Sequence, residues 1–335
     1  MEGGRATPKL LEIPFQPKDG VFDLNMQATE YIWHNGKFVP WANAQVHVLT
    51  HTLHYGGGTF EGIRVYKTDR GPAIFRLDDH IERLFYSADA LQMKCPYTQS
   101  DISKAIVELV RKNRLEAGYV RPLVYYGYGK MGVAPVGAPV EVALACWPWG
   151  AYLPPGGVDI KTSKYIRIHP QSSVADAKIV GHYVNGILAG FEIHGTKYHE
   201  ALLLDYKGNI AEGPGENFFI VKNGMISTPP LGTILKGITR KTIMELAPLL
   251  GFKVEEKDLT LGEAYGADEA FFTGTAAEVT PIRSIDDQPI GGGAAVGPIT
   301  AKLRDAFDAI VHGRDPAHDH LLTYVNLASP KAGNG

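Results

Sequence analysis

Short apolar runs broken by glycine, proline and asparagine turns dominate this chain, and they are interspersed with a few stretches of helical periodicity. Tyr31, Ile32 and Trp33 lead through Asn35-Gly36 into Phe38-Val39, a pattern that predicts a hairpin with a type I′ turn. Three glycines, Gly56 to Gly58, precede a strand expected over residues 63–66. Ile81, Leu84, Phe85, Ala88 and Leu91 fall on one helical face with Asp78 as N-cap. Ile102, Ile106, Leu109 and Val110 mark a second helix with Ser100 as its cap. Strands are expected at residues 119–126, 140–146, 158–168, 200–205, 218–221 and 269–272. Tyr183, Val184, Ile187, Leu188 and Phe191 give a further helical face, closed at Gly195. Two more helices are expected, one that follows Gly237–Arg240 and ends before Gly251 and one over residues 299–312. Strands joined mainly by hairpins, with few strand-then-helix alternations, predict an α+β chain, not a doubly wound sheet.

The Pro/Gly-rich run PWGAYLPPGG marks a linker, so the expected division is a smaller unit at 30–147, a linker at 148–158 and a larger unit at 159–328. Residues 1–29 read as an extension and 329–335 as a tail. With 335 residues, 44% hydrophobic and 21% charged, the composition is that of a soluble globular protein with ample core. A net charge of −3 without a basic stripe argues against nucleic acid as partner. Cys95 and Cys146, the only cysteines, supply neither a disulfide framework nor a thiolate metal site, in keeping with a reducing cytoplasm. The N-terminus has no signal-peptide pattern, and no apolar run reaches the length of a membrane span.

Candidate chemistry centres on residues 205–222, where Glu212, Glu216 and Asn217 sit on a Gly/Pro loop between two apolar runs. Local pattern alone reads this as a polar turn with solvated acids. Gly213-Pro214-Gly215 lacks the third glycine of a dinucleotide loop, and neither a P-loop nor a Gly-x-Ser-x-Gly elbow occurs. His47, His51 and His54 have spacings that would suit zinc on a helix, but their segment reads as β-rich and ends in glycines, so no metal is expected. The turns at Gly237-Ile238-Thr239 and Gly274-Thr275 offer free N–H groups and hydroxyls that suit a phosphate. Arg83, beside an apolar stripe, is either a snorkelling side chain or one held at a buried anion. Nothing in the residues alone singles out one lysine.

Glu212-x-x-x-x-Asn217-Phe218-Phe219, followed by Leu235-x-Gly237-Ile238-x-Arg240, resembles the class IV pyridoxal-phosphate-dependent aminotransferases, and within them the branched-chain amino-acid aminotransferases. The resemblance covers roughly residues 30–326, and the chain departs from it at Pro214, where the family usually has a small residue. It implies fold type IV, with a barrel-like C-terminal unit, and pyridoxal 5′-phosphate as cofactor. By this resemblance Lys178 forms the Schiff base and moves the proton between Cα and C4′, Glu212 faces the pyridine nitrogen, and Tyr183 bonds the 3′ oxygen. Arg83 anchors the phosphate, with Leu235, Ile238, Thr239, Gly274 and Thr275 around the cofactor. Phe60, Trp149 and Tyr152 match an apolar substrate wall beside Gly62. Arg64, Tyr119 and Arg121 match the groups that meet a distal carboxylate, and Thr275 and Ala276 those at the α-carboxylate. Tyr55 and Val133 match positions that reach a neighbouring subunit's site, which implies a homodimer or an assembly of dimers. The implied reaction moves the amino group of leucine, isoleucine or valine to 2-oxoglutarate. Alternatives of the same fold are a D-amino-acid or (R)-amine transaminase and an aminodeoxychorismate lyase; a histidine-site metal hydrolase is the alternative from another class.

Overall fold

The computed structural model describes residues 26–150, 152–154, 156–293 and 296–327. Most of the expected extension, residues 1–25, and the whole expected tail lie outside the described residues.

Alternating apolar positions build two sheets. The first runs Leu322–Tyr324, Gly71–Phe75, Ile63–Thr68, Gly118–Tyr126, Val140–Trp147, Tyr31–His34, Lys37–Pro40, with Gly58–Phe60 also paired to Gly118–Tyr126. Every pairing in it is antiparallel. Asn35 and Gly36 both have positive φ, 46° and 86°, as the type I′ hairpin requires. Helices Leu77–Ala90 and Gln99–Lys112 lay Ile81, Leu84, Ile102, Ile106 and Leu109 on this sheet against Ile63, Ile74, Val120 and Val142. Their starts differ from expectation. The first helix follows Arg76, which is left-handed at φ 47° and buried, and Asp78 lies in the first turn, where a carboxylate meets the positive end of the helix. The second is capped by Thr98, not Ser100, because Thr98 and Asp101 close a reciprocal capping box.

The second sheet contains a closed ring. Ile210–Glu212, Glu200–Leu204, Val158–Thr162, Glu278–Ile285, Glu269–Gly274 and Asn217–Lys222 pair in that order, and the last pairs back to the first. Val158–Thr162 is parallel to both neighbours, so hairpins account for only part of this barrel-like sheet. Inside the ring Phe218 and Phe272 pack with Ile160, Leu202 and Ile282. One residue on, Phe219 and Phe271 point the other way and stack at 4.9 Å under Leu246 and Phe307 of helices Ile238–Leu249 and Pro298–Val311. Both phenylalanines are fully buried, so Phe219→Ala is expected to destabilise the protein by about 3–5 kcal/mol, read as a lower denaturant midpoint.

Four further departures bear on the site. The strand expected to run to residue 168 stops at Thr162, because Ser163 bonds Glu192 at 2.5 Å and the chain turns away, rejoining only where Arg167 N–H donates to Leu204 O. Val184–Ile193 is helical as expected, but Val184, Ile187 and Phe191 are exposed, Phe191 by 72%. Periodicity found the apolar face and not what covers it. His51–Tyr55 is one helical turn and not extended chain. The last strand, Leu322–Tyr324, pairs with Gly71–Phe75 of the first sheet, although the sequence grouped it with residues 159–328.

Candidate active site

Where the two sheets meet, a cavity of about 590 Å³ collects residues from both. Lys178 enters it on a segment pinned from the first sheet's side. Its N–H donates to Ser87 Oγ at 2.9 Å, its carbonyl accepts from Phe60 N–H at 3.2 Å, and Ile179 bridges to Thr59. The side chain is then directed by Tyr183, whose hydroxyl accepts from Lys178 Nζ at 2.5 Å; Tyr183 also packs on Phe60 at 4.9 Å.

Glu212 lies on the Ile210–Glu212 strand and is 4% exposed. One carboxylate oxygen accepts from Arg167 Nε at 2.5 Å, the other from Asn217 Nδ2 at 2.9 Å, and the Leu235 N–H reaches both. Burial pushes this carboxyl above its ordinary range, and Arg167 opposes the push. Asn217 also donates to Leu235 O at 3.0 Å, so its bonds run across the site. Pro214 leaves this arrangement intact. Glu212 pairs with Asn217 across the hairpin and Gly213 N–H donates to Glu216 O, so the proline sits at the tip, where no ladder bond needs its missing N–H. Its ring lies against the Val184–Ile193 helix, where a Cβ at Gly186 would come within 3.1 Å of it.

The opposite end suits an anion. Helix Ile238–Leu249 starts at Gly237 without a side-chain cap, and the first-turn N–H groups of a helix have no partner within it. A Cβ at Gly237 would fall 1.8 Å from Asn217 Oδ1, so only glycine allows this close approach. Arg83 grips fully buried Glu61 with a two-pronged bond at 2.6 and 2.8 Å and donates to Lys236 O at 2.8 Å, which leaves N–H donors over for an anion. Glu61 is thus a buried anion for Arg83. Its burial would raise the pKa, but Arg83 and His80 outweigh it and hold the carboxyl well below the usual range. Thr273 adds a buried hydroxyl without a partner among the described residues, next to Gly274, Thr275 and Ala276 on the cavity wall.

Phe60, Tyr119, Trp149 and Tyr152 form an aromatic wall, with Trp149 edge-on to Tyr119 at 4.5 Å. Gly62 makes room for this wall, since a Cβ there would lie 1.6 Å from Tyr119 Oη. Arg121 stacks on Phe60 at 4.9 Å, and its Nε is buried without a partner among the described residues. Of the residues expected in this chain's own pocket, Arg64 does not line the cavity; Tyr55 and Val133, expected to reach a neighbouring subunit's site, lie outside it as well. Arg64 holds Gly150 O at 2.9 Å and Glu278 at 3.6 Å. The histidines do not converge: His51 Nε2 bonds Gly132 O, His54 Nε2 bonds Val48 O, and His47 Nδ1 accepts from Leu49 N–H. Among the described residues no cluster of His, Cys, Asp or Glu could hold a metal ion.

A buried carboxylate, a lysine directed by a tyrosine and an anion cradle in one cavity fit a phosphorylated pyridine aldehyde, and the family model for class IV aminotransferases matches residues 58–285. The chain belongs to the class IV aminotransferases. It is 48% identical over 298 residues to a branched-chain-amino-acid aminotransferase of Pseudomonas aeruginosa, covering 88% of this chain and 97% of that one. The enzyme of the same description from Escherichia coli is 40% identical over 309 residues, covering 90% and 100%. Among solved structures, a branched-chain amino acid aminotransferase complexed with N-(5′-phosphopyridoxyl)-L-glutamate superposes with a TM-score of 0.86 at 43% identity, covering 89% of this chain and 99% of that one. The branched-chain aminotransferase of the archaeon Thermoproteus uzoniensis with norvaline gives 0.85 at 41%, covering 88% and 99%.

For a class IV aminotransferase, the residue that sequence reasoning missed most plainly is Arg167. It lies 45 positions from Glu212, in a stretch that reads as strand, and no spacing signals the pair. His182 also lines the cavity; burial and then Arg167 lower it to about 4, so its imidazole is neutral at physiological pH. Arg167→Gln removes the one cation that, among the described residues, is paired with Glu212, so burial drives the carboxyl further toward its neutral form. The expected result is a loss of turnover of roughly tenfold or more, with weaker cofactor retention measured by dialysis. Arg167→Lys is expected to recover part of both.

Proposed function

We propose that this transaminase uses pyridoxal 5′-phosphate to transfer the amino group of L-leucine, L-isoleucine or L-valine reversibly to 2-oxoglutarate. The observation that carries this reading is one cavity holding Lys178 on Tyr183, Glu212 on Arg167, and an aromatic wall capped by Arg121, which has no ion pair among the described residues. Lys178 is the group that would hold the cofactor covalently. Arg83, the N–H groups at Ile238 and Thr239, and Thr275 would hold its phosphate. When bound, the cofactor supplies an electron-withdrawing ring that stabilises negative charge at the substrate Cα. The residues do the rest. Glu212, whose proton affinity burial has raised, would accept a hydrogen bond from a protonated ring nitrogen. Tyr183 orients the Lys178 amine, which takes the proton from Cα and returns it at C4′. Phe60, Trp149 and Tyr152 receive an aliphatic side chain, and Arg121 receives the distal carboxylate of glutamate.

Two units joined at residues 148–158 and a homodimer complete the proposal. Leu53, Tyr55 and Val133 are exposed, Val133 by 82%, and with the bare Val184–Ile193 face they supply the apolar area that a second copy would cover. Tyr55 and Val133 then reach the neighbour's pocket. Among the described residues no helix is long and apolar enough to cross a membrane, and both cysteines are free, which supports a cytoplasmic location. Initial rates with 2-oxoglutarate decide between this and the D-amino-acid or (R)-amine alternatives. L-Leucine, D-alanine and an (R)-arylalkylamine are compared side by side; L-leucine is expected to lead, and preference for either competitor overturns the assignment.

A further inference from the structure

One buried carboxylate behind the cavity wall receives four hydrogen bonds. Glu61 follows strand Gly58–Phe60, and its backbone N–H is tied to the first sheet at Pro122 O, 3.0 Å away. Its Oε1 accepts from Arg83 Nε at 2.6 Å. Its Oε2 accepts from Arg83 Nη2 at 2.8 Å, from His80 Nδ1 at 2.7 Å and from Gly62 N–H at 3.3 Å. A carboxylate has about four acceptor positions, so none is left for a ligand. His80 and Arg83 stand three residues apart on helix Leu77–Ala90 and so share a face. Glu61 and His80 are both fully buried and neither lines the cavity, whereas Arg83 does. The other cations on the cavity wall are engaged elsewhere: Arg167 with Glu212, Lys178 with Tyr183, and Arg121 over Phe60. Lys236, next to Gly237, pairs with Asp176 at 2.8 Å and does not line the cavity.

With its acceptors filled and the cavity out of reach, Glu61 has no direct part in the chemistry. What it does is fix Arg83. An arginine side chain left free must be ordered when an anion binds, and that ordering weakens binding. Here the two oxygens of Glu61 and the carbonyl of Lys236 take three of the five N–H donors of the guanidinium and set its plane beforehand. The two donors that remain, one on each terminal nitrogen, are left for an anion. Because the charge of Glu61 offsets that of Arg83, the carboxylate contributes direction to anion binding and not attraction. We infer that Glu61 and His80 are positioning residues for a phosphate monoester: Glu61 sets the plane of Arg83, and His80 sets Glu61. The free N–H groups of Arg83 and the uncapped start of helix Ile238–Leu249 then form one preset cradle. The inference rests on the cofactor reading above and deepens it: preference for a phosphorylated over an unphosphorylated pyridine aldehyde depends on two residues that touch neither.

The test measures equilibrium binding of pyridoxal 5′-phosphate and of pyridoxal to the full-length apoprotein, through quenching of tryptophan fluorescence, and takes the ratio of the two dissociation constants. Glu61→Asp keeps the charge but draws the carboxylate back by one methylene, so Arg83 either follows it away from the anion or loses the two-pronged bond. The ratio is expected to narrow roughly tenfold, the effect of losing one charge-assisted hydrogen bond, with pyridoxal itself changed less than about twofold. His80→Leu, which alters no charge on Glu61 or Arg83, is expected to narrow the ratio roughly threefold; His80→Asn, whose amide can stand where Nδ1 stands, is expected to restore most of it. In an Arg83→Gln background Glu61→Asp is expected to change the ratio no further, because the two residues act as one unit. An unchanged ratio in Glu61→Asp overturns the inference. So does an equal weakening of both ligands, which is the mark of a merely structural role, or a full effect of Glu61→Asp without Arg83. Should Glu61→Asp not fold, His80→Leu against His80→Asn decides by the same ratio. A wild type that binds the two ligands equally well shows instead that the phosphate reading of Arg83 has failed, and the inference falls with it.

Discussion

Lys178→Ala is expected to lower turnover by roughly 10⁴-fold, because the amine proposed to move a proton between Cα and C4′ is gone. The loss should not come from unfolding. The backbone bonds that fix this segment, Lys178 N–H to Ser87 and Phe60 N–H to Lys178 O, do not involve the side chain. The melting temperature of the apoprotein should therefore stay close to that of the wild type. Small primary amines supplied in solution should restore part of the rate. A variant that keeps wild-type turnover would assign the proton transfer to another group.

Glu212→Gln is the second large effect. The amide keeps the shape and accepts through one oxygen only, so Arg167 loses its carboxylate while remaining largely enclosed. Breaking a buried pair from one side costs about 3–5 kcal/mol. A neutral amide also favours an unprotonated ring nitrogen, which weakens the electron sink, and turnover is expected to fall roughly 10²-fold with little change in KM. Glu212→Asp should lose nearly as much, since the shorter side chain cannot meet Arg167, Asn217 and the Leu235 N–H together. Rapid-mixing measurement of the Cα proton-transfer step, with deuterated leucine, separates this effect from substrate binding.

Local signals in the sequence carried much of the fold. Asn35-Gly36 set a hairpin because both residues tolerate positive φ, and the helix over Ile238–Leu249 announced itself by its glycine starts and stops. Signals that depend on distant partners did not carry over. The chain turns away after Ser163, whose N–H still donates to Leu202 O while its hydroxyl is held by Glu192 of another element, and Leu322–Tyr324 joins the first sheet along the edge of Gly71–Phe75. The apolar stripe at Val184, Ile187 and Phe191 was legible as a stripe, but its exposure was not. The site divides in the same way. Glu212, Asn217 and the Gly237 turn stand in a spaced pattern and were found through it. Arg167, which holds Glu212, and Glu61, which holds Arg83, are joined to their partners only by folding. Pro214 drew notice as a departure in the sequence, and the structure explains its tolerance: it occupies the hairpin tip, where the ladder does not need its N–H.

The central claim is that one cavity serves both half-reactions through one bound cofactor. It is tested most directly by following the visible absorbance of the purified holoenzyme through a single cycle. Adding L-leucine without an oxo acid is expected to bleach the absorbance characteristic of pyridoxal 5′-phosphate joined to Lys178 and to release one equivalent of 4-methyl-2-oxopentanoate per site. Adding 2-oxoglutarate is then expected to restore the absorbance and yield one equivalent of glutamate. A spectrum indifferent to leucine, or one that bleaches and is not restored by 2-oxoglutarate, would contradict the account.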